Sequence, residues 1–233
     1  MTELTERGKQ IRRDTLRLGI PTGIDTYGGS FSVTEILIAL YDHVLDEAAD
    51  TVVISTQHCW IHRDAILREN AAPANTMKIT GNSMLVGVET ALARKLAGIS
   101  GRVYAIAADG EPQKGVFWET LLRGRQLKLD NLTVIVARTN SPDSDLVEDV
   151  QPISSTALSK IAMYADWASL IIDGHHVGTV CSALDWTLTL SVPSLIVAST
   201  VSGRGVSFME DVPSWRKRFP TPDEIEQAYG ELR

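Results

Sequence analysis

The chain is short of several things. Only two cysteines, Cys59 and Cys181, occur in 233 residues. That is too few for a disulfide framework, and a reducing cytoplasm is the expected compartment. There is no positive excess: 22 Lys and Arg against 29 Asp and Glu leave a net charge of −7, which argues against a nucleic-acid footprint. No apolar run approaches the length a membrane helix requires. Met1–Lys9 is too polar to be expected to act as a signal peptide. Internal repeats and low-complexity tracts are missing too. What remains, 44% hydrophobic and 22% charged residues, is ordinary for a soluble globular protein. One domain over 1–233 is expected.

The most informative stretch runs from Arg102 to Asn140. Two apolar runs, Val103–Ala107 and Leu132–Ala137, have strand length and composition. A helix-compatible segment, Val116–Leu127, separates them, so the stretch predicts a βαβ unit with a parallel strand pair. Further strands are expected at Thr51–Ser55, Ala168–Ile172 and Ser194–Ser199. Helices are expected at Glu3–Leu18, Asp64–Glu69, Ser83–Ala97, Ser154–Tyr164 and Val177–Leu190. A last one starts at Thr221-Pro222-Asp223-Glu224, where N-cap, N1 proline and N3 acid stand in order. Ser32 and Glu35 have the spacing of a capping box for a helix carrying Ile36, Leu37, Leu40 and Tyr41 on one face. Gly28-Gly29-Ser30 suits a tight turn, and Ala71–Gly81 reads as a loop. Strands alternating with helices make this an α/β protein: a parallel twisted sheet with helices on both faces.

Four strands lead into glycine-bearing or polar loops, at His58, Asp109-Gly110, Asp173-Gly174-His175 and Gly203-Arg204-Gly205. Parallel sheets collect such loops at one edge, where ligands bind. Asp109-Gly110-Glu111 beside Thr139-Asn140 can hold a hard cation and its phosphate. The plainer reading is that glycine and aspartate simply terminate elements. His58 and His62, four apart with Cys59 beside them, lack a third and fourth zinc ligand at usual spacing. Glu111 reads by default as an exposed loop carboxylate, with general base as the sharper reading. Lys9, Arg12, Arg13 and Arg17 read as a solvated helix face.

The order of GGSFSVTEILIALY, STQH, ADGE, KGVFWE, KLDNLTVIV, IIDGH and STVSGRGVSFME resembles that of transketolases, from about Gly28 to Trp215. The chain looks like the separate N-terminal subunit of a split transketolase. The resemblance implies that family's thiamine diphosphate-binding fold, with thiamine diphosphate and Mg2+ (or Ca2+ or Mn2+) as cofactors. It places His58, Gly81, Asp109, Gly110, Glu111, Thr139, Asn140, Asp173, Gly174 and His175 at the cofactor. It gives His58 and His175 catalytic roles, and Asp109, Thr139, Asn140 and Ser141 as the metal-side group. Gly203 and Gly205 match a late glycine pair.

The sequence departs from the family pattern at several points. Thr139 stands where an asparagine ligand is usual, with Asn140 next. An early Gly-His falls on Asp25-Thr26, a lysine on Gln57, a glutamate on Lys114 and a late Trp-His on Trp215-Arg216. These changes fall on groups expected to touch sugar substrates. The resemblance implies transfer of a two-carbon ketol or acyl unit with an atypical donor or acceptor, such as a carrier-protein or lipoyl thiol in a biosynthetic pathway. The glutamate that activates the aminopyrimidine would come from a C-terminal-half partner subunit, in an α2β2 heterotetramer. The competing expectation is a non-catalytic scaffold subunit with a decayed cofactor site.

Overall fold

The computed structural model of the chain describes residues 2–22, 27–55, 75–139, 153–216 and 218–233. The short aliphatic runs become strands: β1 (Thr51–Ser55), β2 (Thr76–Ile79), β3 (Val103–Ala107), β4 (Leu132–Arg138), β5 (Ala168–Asp173) and β6 (Ser194–Ser199). They form one six-stranded sheet in the order β2-β1-β3-β4-β6-β5, and every pairing is parallel. All strand carboxyl ends therefore share one edge. The chain leaves β1 toward β2 on one side and β3 toward β4 on the other. That reversal is a topological switch point, where open α/β sheets form ligand crevices.

The helices are α1 (Thr2–Thr22), α2 (Tyr27–Ser32), α3 (Thr34–Ala39), α4 (Ser83–Leu96), α5 (Gly115–Gln126), α6 (Ser155–Tyr164), α7 (Val177–Leu188) and α8 (Pro222–Glu231). A single π-helical turn, Leu40–Val44, extends α3. Alternation along each central strand feeds two cores. Val52, Ile54, Ile135 and Ala137 face α3 and α7. Val53, Val134 and Val136 face α4, α5 and α6. A third cluster joins Leu16, Tyr27, Phe31, Met209, Trp215 and Leu232, packing α1 and α2 against the C-terminal region. Strands buried on both faces read as continuous apolar runs, which is why β1, β3, β4 and β6 were visible in the sequence.

Several expectations give way. Gly28-Gly29-Ser30 is not a turn but the middle of α2, whose residues are all buried. A Cβ on Gly28 would meet Ser202 Oγ at 2.7 Å, so the glycine permits close packing rather than chain reversal. The capping box at Ser32 does not form. The residue before α3 is Val33, with no side-chain cap, and Ser32 Oγ donates to Gly29 O at 2.7 Å. The box at α8 does form, with Thr221 and Glu224 reciprocally bonded. The stretch read as a loop over Ala71–Gly81 contains β2, a short half-exposed edge strand. A strand of four residues is too brief for its alternation to register as a periodic signal. The expected helix at Asp64–Glu69 lies outside the described residues. No helix among the described residues is long and apolar enough to cross a membrane.

Helix α4 seats on β3 through Gly87, where a Cβ would lie 2.7 Å from the Ala105 Cβ. Gly87→Ala is expected to lower stability by about 1–3 kcal/mol through overpacking. Urea unfolding would show this as a lower midpoint at unchanged slope.

Candidate functional site at the strand tips

Register decides what meets at the crevice. β3 and β4 pair from Val103↔Leu132 to Ala107↔Val136, so two residues farther on, Asp109 comes level with Arg138. The Asp109 carboxylate is buried. Its Oδ2 accepts from Thr139 N at 3.0 Å and from Thr139 Oγ1 at 2.8 Å. Its Oδ1 lies 2.7 Å from Arg138 Nη1. No N–H is aimed along that last contact, so Oδ1 has charge compensation without a hydrogen bond. Arg138 is itself 1% exposed. Its Nη1 also donates to Asp109 O at 3.3 Å, and its Nη2 donates to Ile153 O. A buried carboxylate without a cation would be costly, and here a guanidinium from the next strand supplies it.

Thr139 is therefore brought to Asp109 as the sequence suggested, but as its hydrogen-bond donor. Asn140 and Ser141 lie outside the described residues, as do His58, Cys59 and His62. Among the described residues no group of three or more His, Cys, Asp or Glu side chains could hold a metal ion. A divalent ion on Asp109 would also face the guanidinium. At about 4 Å and an effective dielectric of about 20, that repulsion is roughly 8 kcal/mol. With Arg138 in place, the described side chains do not fit a tightly held divalent cation.

Glu111 is 2% exposed and is not the loop carboxylate expected. It accepts from Ser83 Oγ at 2.8 Å, and from Met84 N and Ala108 N at 3.4 Å each. It ties the start of α4 to the tip of β3. Beside this clasp, Gly81 adopts φ +68°, and Lys114 Nζ lies 3.0 Å from where its Cβ would be. An ammonium over open backbone at the strand-tip edge suits a phosphate oxygen. Gly110, half-buried, sits between Asp109 and Glu111.

His175 belongs to a second buried node. Its Nε2 accepts from Val201 N at 2.7 Å, and its Nδ1 faces Glu35 Oε2 at 2.9 Å. An acceptor Nε2 carries no proton, so Nδ1–H donates to Glu35. Both ring nitrogens are engaged within the protein. Arg12 Nη1 pairs with Glu35 Oε1 at 2.8 Å, and Arg12 is 4% exposed, not on a solvated face. The rest of the loop serves the fold. Asp173 Oδ1 accepts from His175 N at 2.8 Å. A Cβ on Gly174 would meet Thr200 Cγ2 at 2.6 Å. Gly203 and Gly205 have φ of +73° and +95° and pack on Met209 and Arg12.

Sequence reading missed Arg138 and the burial of Arg12. The signal for Arg138 was present: a lone cation closing the apolar run LTVIVAR must be paired if the strand is central. Arg12 gave none, because its partner is distant in sequence.

Burial would raise the Glu35 carboxyl, but the His175 hydrogen bond and the Arg12 charge outweigh it and bring it from 4.5 down to about 2. A carboxylate lowered by folding stabilises the fold fully above its ordinary value, and loses that contribution as pH falls through the folded value. The difference is on the order of 3 kcal/mol. Glu35→Gln is expected to unfold at lower urea near pH 7. Its deficit against the parent chain should shrink as pH falls from 4.5 toward 2. A pH-independent deficit would contradict the assignment.

No family model matches the chain. It is similar to one of the subunits of apulose-4-phosphate transketolase from Actinobacillus succinogenes, at 27% identity over 99% of this chain and 96% of that one. Human transketolase is 30% identical over 57% of this chain, which covers 21% of that protein. Among solved structures, transketolase from Campylobacter jejuni superposes with a TM-score of 0.82 at 19% identity, over 100% of this chain and 43% of that one. The chain thus spans less than half of the full-length transketolases it matches. Over its length the chain is thus similar to one subunit of a transketolase, and its fold is that of transketolase structures.

Proposed function

We propose that this chain is the thiamine diphosphate-side subunit of a two-chain enzyme that transfers a two-carbon ketol unit. The carrying observation is the strand-tip node at the switch point: Asp109 and Thr139 joined across adjacent parallel strands, in a chain whose similarity to one transketolase subunit runs from end to end. Gly81, Gly110 and Lys114 would take the diphosphate. When bound, thiamine diphosphate supplies the nucleophilic carbon and the electron sink for breaking a carbon–carbon bond beside a ketone. The chain's own groups position it. Asp109 fixes the β3 and β4 tips together, Glu111 clasps α4 to β3, and the Glu35–His175 pair holds the Val201 backbone.

The proton-activating glutamate is assigned to a C-terminal-half partner subunit, in an α2β2 assembly. The relatives named for apulose 4-phosphate support a phosphorylated ketose as donor. The departures at Thr26 and Arg216 favour an acceptor other than ordinary aldose phosphates. The class proposed is a lipoyl disulfide, reduced to the dithiol as the two-carbon unit is oxidised to a thioester. A carrier-protein thiol could then receive the unit by thioester exchange.

The chain co-expressed with its partner is expected to bind thiamine diphosphate saturably in calorimetry, without displacement by ATP or NAD. It should also shorten apulose 4-phosphate by two carbons. Mass spectrometry of added lipoyl domain should find the two-carbon thioester. Efficient turnover with ordinary aldose phosphates and no thioester would overturn the acceptor assignment. Failure of the intact complex to bind thiamine diphosphate would leave only a scaffold.

A further inference from the structure

We infer that Arg138 takes the place of a divalent cation at Asp109, so that the diphosphate site works without a tightly bound metal. The inference rests on the diphosphate reading above and deepens it. A metal at such a site has two tasks: to neutralise a buried carboxylate, and to bring positive charge toward the phosphates.

The first task is already met. Arg138 Nη1 stands 2.7 Å from Asp109 Oδ1, while Thr139 saturates Oδ2 through its N–H and its hydroxyl. The Arg138 side chain is 1% exposed and also anchored on Asp109 O and Ile153 O. Ejecting it to admit a metal would bare a guanidinium in a dry interior and release the segment that begins at Ile153. Arg138 is therefore a positioning residue that acts through Asp109, and does not itself contact the ligand. The second task falls to Lys114, whose ammonium stands 3.0 Å from the Cβ position of Gly81. It lies in an exposed segment at the start of α5, next to the Glu111 clasp. A lysine is a point charge suited to phosphate oxygens. One cation inside and one at the rim do the work of a single ion between protein and phosphate.

The test is calorimetric titration of thiamine diphosphate into the co-expressed complex, once with Mg2+ and once after exhaustive EDTA treatment. The expected affinities agree within about threefold. In Arg138→Met, which keeps an unbranched stem without the charge and frees the carboxylate, Mg2+ should raise affinity at least about tenfold. Mn2+ titrated alone into the same variant, followed by electron paramagnetic resonance, should bind more tightly than to the parent complex. A parent complex that loses tenfold or more in EDTA overturns the inference and leaves the diphosphate reading intact. A folded Arg138→Met that stays indifferent to metal overturns the role of Arg138. Absence of thiamine diphosphate binding with and without Mg2+ removes the diphosphate reading and this inference together. If Arg138→Met fails to fold, the EDTA comparison on the parent complex decides alone.

Discussion

The structure turns on one buried carboxylate. Asp109 projects from the tip of a central strand into a region from which water is largely excluded, and a charge there must be compensated or lost. The parallel register of β3 and β4 provides the answer, setting Arg138 level with it. Thr139, next in the chain, adds two donors. Once that exchange is made, the two tips cannot separate or slip without stranding a charge. The crevice at the switch point then has a fixed floor. The same pairing determines what the site can hold, because a carboxylate already neutralised is a weak claimant for a further cation.

A second node repeats this logic across longer distances. Glu35 on α3, Arg12 on α1, His175 after β5 and the backbone of Val201 after β6 converge on one another. None is near another in sequence. The hydrogen-bonded imidazole and the guanidinium together hold Glu35 ionised against a burial that alone would push its carboxyl up. The loop from Thr200 to Gly205 thereby acquires a fixed path over the sheet edge. Residues that look like ligands by motif, Asp173, Gly174 and His175, are occupied in building that path. Of the residues drawn from the family pattern, Gly81, Gly110 and the compensated Asp109 lie just beyond the ends of β2 and β3.

Strand positions were largely legible. β1, β3 and β6 begin and end where aliphatic, β-branched runs do, and β4 and β5 exceed the expected spans by one residue. For β1, β3, β4 and β6 the signal is strong because both faces are buried, whereas the half-exposed edge strand β5 shows through Leu170, Ile171 and Ile172. Helix starts were legible where a side chain caps them, as at Ser154 and Thr221. They were misread where tertiary packing dominates. Gly28 and Gly29 look like a turn, yet α2 needs Gly28 small to pass Ser202 and Trp215. Ser32 and Glu35 have the spacing of a box, yet Glu35 is taken by Arg12 and His175. Edge strand β2 was lost because its four residues, Thr76 to Ile79, are too few for their alternation to stand out.

The sequence by itself determined the alternation of strands and helices, and hence the parallel sheet and the edge on which its loops gather. Those follow from local apolar patterning and from the geometry of crossover connections. Only the tertiary structure decided which charges meet. Asp109 and Arg138 face one another because two strands align in a particular register. Arg12, Glu35 and His175 meet because three elements far apart in the chain fold onto one corner. The compensation of a buried charge is set by distance in space, and that distance is not written in the spacing of residues along the chain.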